Sequence, residues 1–133
     1  MSASRVVYLD SSALVKLVVE EAESVALGVF LANWSERVTC SLARTEVIRA
    51  IGLLGEHAIR RARSILSDFD LITMDDALLD DAARLAPPSL RSLDAIHLAA
   101  ARAVGQYLET VVTYDQRMAT AAAGLGLPTT APV

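Results

Sequence analysis

Four acidic residues carry the chemistry this chain offers: Asp10, Glu46, Asp94 and Asp115. Asp10 closes the short apolar run Val6-Val7-Tyr8-Leu9 and is followed by Ser11-Ser12. Asp115 repeats that arrangement after Thr110-Val111-Val112-Thr113-Tyr114. Asp94 falls in the first turn of a helix opened by Ser92, and Glu46 lies at the edge of a helical apolar stripe. Each acid has an ordinary explanation. Asp and Ser cap helices for about 1 kcal/mol, a first-turn Asp suits the helix dipole for about 0.3–1 kcal/mol, and Glu46 could pair with Arg44 or Arg49. If a sheet gathers them, however, the carboxylates share one cleft. Two unit charges 4 Å apart repel by about 4 kcal/mol at an effective dielectric of 20. Such a cluster requires protonation or a bound cation. All-oxygen ligation suits Mg²⁺ or Mn²⁺, and the ion and its waters favour phosphodiester hydrolysis.

The elements that must position these acids alternate. The apolar run at 6–9 reads as a buried strand of a parallel sheet, 37–40, 70–73 and 110–113 as further short strands, and 127–130 as a short edge strand. Between them the periodicity predicts helices over 12–19, 22–34, 41–54, 56–69, 75–85 and 92–104, and a last one from Asp115 through Ala123. Ser41 and Ser92 are the expected caps, and Gly55, Gly105 and Gly124 the stops. In the helix at 41–54 the stripe is Ala43, Val47, Ala50, Ile51 and Leu54. The fold class is therefore α/β, with a short, mainly parallel central sheet flanked by helices. In such sheets ligands bind beyond the carboxyl ends of the strands, where strand order reverses. That is where Asp10 and Asp115 fall.

Composition bounds the rest. The 133 residues suit one domain spanning 1–133. Twelve basic and sixteen acidic residues give a net charge of −4, so any nucleic-acid binding must be local or metal-mediated. Lys16, the only lysine, and Arg44 and Arg91 lie within about a turn of the acidic segments and are the candidate phosphate contacts. The run Arg60-Arg61-Ala62-Arg63 is the densest basic patch, though such runs are usually solvated faces. The apolar fraction of 53% and the mean hydropathy of +0.41 point to a surface that meets another chain. One cysteine, Cys40, fits a reducing compartment and reads as buried and inert. With no expected signal peptide or membrane span, the cytoplasm is the expected location. Trp34 reads as a core or interface anchor, and His97 as a core histidine bonded to a neighbour.

Four segments, Tyr8-Leu9-Asp10-Ser11-Ser12-Ala13-Leu14-Val15-Lys16, Ala43-Arg44-Thr45-Glu46-Val47, Leu93-Asp94-Ala95-Ile96-His97-Leu98-Ala99-Ala100-Ala101 and Val112-Thr113-Tyr114-Asp115, resemble the PIN domain family. The closer likeness is to the VapC-type ribonuclease toxins of toxin–antitoxin pairs. The segments span nearly the whole chain in the family's order. The resemblance implies a three-layer α/β/α fold and an acidic pocket of Asp10, Glu46, Asp94 and Asp115 that binds Mg²⁺ or Mn²⁺ and cleaves RNA. It makes Asp10 and Asp94 the metal ligands and Ser12 and Thr113 supporting hydroxyls, and it gives His97, at a variable position, no catalytic role. It also implies a small VapB-type antitoxin and a homodimer. Other readings are a PIN nuclease of RNA maturation without an antitoxin, and an inactive PIN-like interaction module. A phosphoacceptor receiver domain fits poorly: it needs paired early acids and a late strand-end lysine, and this chain has neither.

Overall fold

The computed structural model describes residues 5–133. Strand β1 (Val6–Leu9) lies at the centre of a five-stranded, all-parallel sheet of order β3-β2-β1-β4-β5. Its companions are β2 (Arg37–Cys40), β3 (Asp70–Ile72), β4 (Leu108–Val112) and β5 (Thr129–Thr130). Side chains alternate across the pleat. Val7 and Leu9 therefore enter one core, with α1 (Ser11–Val18), α2 (Ser24–Leu31), α3 (Ala43–Ile51) and α4 (Glu56–Leu66). Tyr8 enters the other, with α5 (Asp76–Ala83), α6 (Ser92–Ala103) and α7 (Gln116–Gly124). The result is the three-layer α/β/α arrangement expected from the sequence.

Strand order reverses beside β1. The chain moves outward through β2 and β3, returns past β1, and adds β4 and β5 on the other side. Leu9 and Val112 are paired in register, so Asp10 and Thr113 leave the sheet side by side. The Asp10 amide donates to the Val112 carbonyl at 3.2 Å.

Several element ends differ from the sequence reading. Asp10 caps α1, one of the two cap types read there, and the helix starts at Ser11 rather than Ser12. The positions before α3 and α6 are Leu42 and Arg91, and neither caps through its side chain, so Ser41 and Ser92 do not fill that role. Helix α2 covers only the middle of the expected 22–34 span, and α3 tightens into a 3₁₀ turn over Gly52–Leu54. Gly55 then adopts φ +98°, a conformation that disfavours any side chain, and sends α4 back along α3. Strand β4 starts two residues early and stops at Val112, which frees Thr113 for the site. Trp34 is half-buried, its ring 6.2 Å from that of Phe30. Cys40 is buried, which pushes its thiol pKa up and keeps it inert. No helix among the described residues is long and apolar enough to cross a membrane.

Candidate active site

Asp10 is the anchor of the site. It is 2% exposed, and both of its carboxylate oxygens are engaged. Oδ1 accepts from the Ala13 amide at 3.0 Å and from the Ser12 hydroxyl at 2.6 Å, while Oδ2 accepts from the Thr113 hydroxyl. Ser12 Oγ in turn accepts from the Tyr114 amide at 3.0 Å, and Thr113 Oγ1 from the Asp115 amide at 3.1 Å. These bonds stitch the end of β1 to the end of β4. Burial pushes the Asp10 pKa up, against the hydrogen bonds from Ser12, Thr113 and Ala13, which favour the charged form. Among the described residues Asp10 has no ion-pair partner.

Asp115 caps α7, its Oδ1 accepting from the Arg117 amide at 2.9 Å. Oδ2 faces Arg91 at 3.5 Å. The same guanidinium donates through Nε to Asp94 Oδ2 at 3.1 Å. Arg91 thus spans two of the four acids. Its side chain is 62% exposed, so solvent screens the pair and its worth to stability is small. Beside Asp94 and Arg91 a cavity of about 530 Å³ opens between the start of α6 and the face of α7 that carries Arg117 and Thr120.

Glu46 is held from a different direction. Its Oε1 accepts from Ser11 Oγ at 2.5 Å and lies 2.6 Å from His97 Nε2. His97 is 2% exposed, and its Nδ1 lies 2.6 Å from the Tyr8 hydroxyl. Burial raises the Tyr8 pKa well above its ordinary value, so the phenol keeps its proton. In the neutral imidazole whose Nδ1 accepts from that phenol, Nε2 carries the ring proton and donates it to Glu46. Burial pushes Glu46 up, but the hydrogen bonds from His97 and Ser11 outweigh it and leave the carboxyl below its ordinary value. The sequence reading recognised a buried, bonded histidine. It missed that the partner is Glu46, and it gave Ser11 and Tyr8 no part in the site. Sequence spacing carries no such signal, because Tyr8 and His97 are 89 residues apart and meet only when α6 packs on β1.

The three candidate cations are not gathered. Only Arg91 touches the acids. Lys16 Nζ lies 2.8 Å from Glu23 and 3.6 Å from Glu21, and sits 4.9 Å over the Tyr114 ring. Arg44 is exposed at the start of α3 and faces the groove between α3 and α4. Within the basic run, Arg61 donates to the Val18 carbonyl at 3.1 Å and the Leu17 carbonyl at 3.2 Å, closing the end of α1.

Among the described residues no three His, Cys, Asp or Glu side chains converge into a ready metal cage. The donor chemistry nevertheless fits a hard divalent cation. The groups are all oxygens, Mg²⁺ needs only one or two carboxylates and keeps its waters, and Asp10 is a buried carboxyl with no ion-pair partner among the described residues.

The family model described as PIN domain matches residues 7–124. The chain belongs to the PIN domain family. This PIN domain is 48% identical over 126 residues to Ribonuclease VapC46 of Mycobacterium tuberculosis (strain ATCC 25618 / H37Rv), covering 95% of this chain and 97% of that protein. It is 35% identical over 131 residues to Ribonuclease VapC47 of Mycobacterium tuberculosis (strain CDC 1551 / Oshkosh), covering 95% of this chain and 96% of that one. A solved toxin-antitoxin complex from Klebsiella pneumoniae shares the PIN-domain fold at a TM-score of 0.74, with 21% identity over 96% of this chain and 98% of its own.

Proposed function

We propose that this PIN domain is a metal-dependent endoribonuclease, the toxin of a type II toxin–antitoxin module, and that it cleaves RNA by hydrolysis. The observation that carries this reading is the meeting of Asp10, Thr113 and Asp115 where strand order reverses, with Arg91 linking Asp115 to Asp94. The curated relatives' name, Ribonuclease VapC, supports the substrate class.

Asp10 and Asp94 would hold Mg²⁺ or Mn²⁺, with Asp115 beside them. Such an ion supplies charge compensation for the phosphate in the transition state. Ser12 and Thr113 fix the Asp10 carboxylate so that neither oxygen swings away. Glu46, kept ionised and oriented by His97 and Ser11, accepts a proton from the attacking water as its oxygen bonds to phosphorus. The bond from phosphorus to the leaving ribose oxygen breaks, and that oxygen takes a proton from solvent. Arg91 is placed to follow the phosphate once the acids have a metal partner. The cavity beside Asp94 is of nucleotide size.

A small VapB-type antitoxin and a second copy of the chain are the proposed protein partners. The exposed apolar side chains on one flank, Val25 and Val29 of α2 and Leu53 and Leu54 before α4, support such contacts. A cytoplasmic location goes with that reading. The test is to express the chain with and without its genomic neighbour and map RNA 5′ ends in the cell. New ends and growth arrest that vanish on co-expression, and in Asp94→Asn, bear the reading out. An unchanged RNA profile overturns it.

A further inference from the structure

Five of the twelve basic side chains are committed to partners, and of the seven that are not, Arg60, Arg84, Arg102 and Arg117 lie outside the groove that the other three share. Arg5, Lys16, Arg37, Arg61 and Arg91 are each tied to carboxylates or backbone carbonyls. Arg44, Arg49 and Arg63 are exposed, and among the described residues none of them makes an ion pair or a side-chain hydrogen bond. All three nevertheless line one groove of about 650 Å³ between α3, α4 and the start of β3. No acid lines that groove. Its other walls are hydroxyls, Thr45 and Ser67, and apolar side chains such as Ile48 and Leu71. In a chain of net charge −4, three free guanidinium groups sharing one recess is a local reversal of sign.

We propose that this groove is the track for the RNA backbone, gripping successive phosphates upstream or downstream of the cut. The inference rests on the ribonuclease reading and adds to it where the strand runs. Guanidinium groups pair with phosphate oxygens through two parallel bonds, which a lysine cannot do. Helix α3 links groove to chemistry: Arg44 and Arg49 flank Glu46 on the same two turns. A strand whose scissile phosphate sits by Glu46 passes onto Arg44 and Arg49 and then reaches Arg63 on α4. This track differs from the sequence expectation, since Lys16 spends its charge on Glu21 and Glu23. An acidic protein segment is the competing occupant. The groove's position on the helix of Glu46 favours the nucleic acid.

The experiment measures the salt dependence of binding of a short labelled single-stranded RNA by fluorescence anisotropy, in EDTA so that no cleavage occurs. Each phosphate contact on a single strand contributes about −0.7 to the slope of log affinity against log salt. The triple variant Arg44→Ala, Arg49→Ala, Arg63→Ala is expected to lose about 2 units of slope, while Arg84→Ala, Arg102→Ala leaves it unchanged. Thermal melting of each variant confirms the fold. An unchanged slope in the triple variant overturns the track, whether or not the wild type cuts RNA. So does polyglutamate that displaces the RNA as well as unlabelled RNA does, because the groove is then a site for acidic protein. Groove-dependent slope with no cleavage by the wild type in Mg²⁺ or Mn²⁺ leaves the groove standing as an RNA site and removes the ribonuclease reading instead.

Discussion

His97 Nε2 lies 2.6 Å from Glu46 Oε1, and the same imidazole turns its other nitrogen to the Tyr8 hydroxyl. A neutral imidazole that accepts from Tyr8 at Nδ1 donates from Nε2 to Glu46. A buried imidazole has two tautomers, and the bond at one nitrogen selects which is present. Tyr8 therefore acts on Glu46 without touching it.

Tyr8→Phe is expected to lower kcat about tenfold, equivalent to about 1.4 kcal/mol, with KM little changed. The lost hydrogen bond should cost on the order of 1 kcal/mol of stability. If Tyr8 works through Glu46, adding Tyr8→Phe to Glu46→Gln has no further effect on kcat. Steady-state cleavage of an RNA substrate by the four proteins of the cycle checks this, and additive losses would refute the relay.

The pH dependence of stability follows from Glu46. Its folded pKa lies below the unfolded one, so its ionised form contributes stability. That contribution is fully present above the unfolded value of about 4.5 and is lost as pH falls through the lower folded value. Hydrogen bonds to a charged group are worth about 1.5–3 kcal/mol. Glu46→Gln should therefore melt below the wild type at neutral pH, and the gap should close below about pH 4.5. Melting curves across pH for the two proteins test it.

Much of this was legible in the residues, and the reasons are specific. Strands buried on both faces read as apolar runs, so β1 and the Val111-Val112 end of β4 stood out, and with them the placing of Asp10 and Asp115. Glu46 was legible as half-committed because it sits at the edge of an apolar stripe, and its side chain is 22% exposed. What the residues did not carry was partnership across the sheet. Lys16 lies close to Asp10 in sequence yet turns to Glu23, and Arg91 reaches Asp115 over 24 residues. At Asp10, Ser11 and Ser12 any of the three can cap, and tertiary partners decide: Ser11 donates to Glu46 and Ser12 to Asp10, which leaves Asp10 to take the Ala13 amide.

Asp10 has the opposite linkage to Glu46. Its folded pKa is raised by burial, so its contribution is most favourable below the unfolded value of about 3.8 and is lost as pH rises through the folded one. Without a divalent ion, Asp10→Asn should match or exceed the wild type in melting temperature at neutral pH. With Mg²⁺ or Mn²⁺ at about 100 times its dissociation constant, the wild type should gain about 2.7 kcal/mol and the variant almost nothing. Cleavage by the variant should drop at least about a hundredfold. Equal metal-induced shifts in the two proteins would place the ion elsewhere.

Arg91 supplies the last prediction. In the absence of metal its guanidinium stands between Asp94 and Asp115, at 3.1 and 3.5 Å, and does part of the work a cation would do. A metal entering beside Asp94 must displace or outcompete that charge. Removing it leaves two acids with no counter-charge among the described residues, and their mutual repulsion then favours the metal-bound state. Arg91→Ala should therefore bind Mg²⁺ or Mn²⁺ more tightly than the wild type, by up to about fivefold for a pair this exposed. If Arg91 then moves to the phosphate, the same variant loses RNA affinity, so KM rises while the metal requirement falls. Calorimetric titration of metal into both proteins, beside KM measured at saturating metal, separates the two effects. Unchanged metal affinity would show that Arg91 is a bystander at the acids.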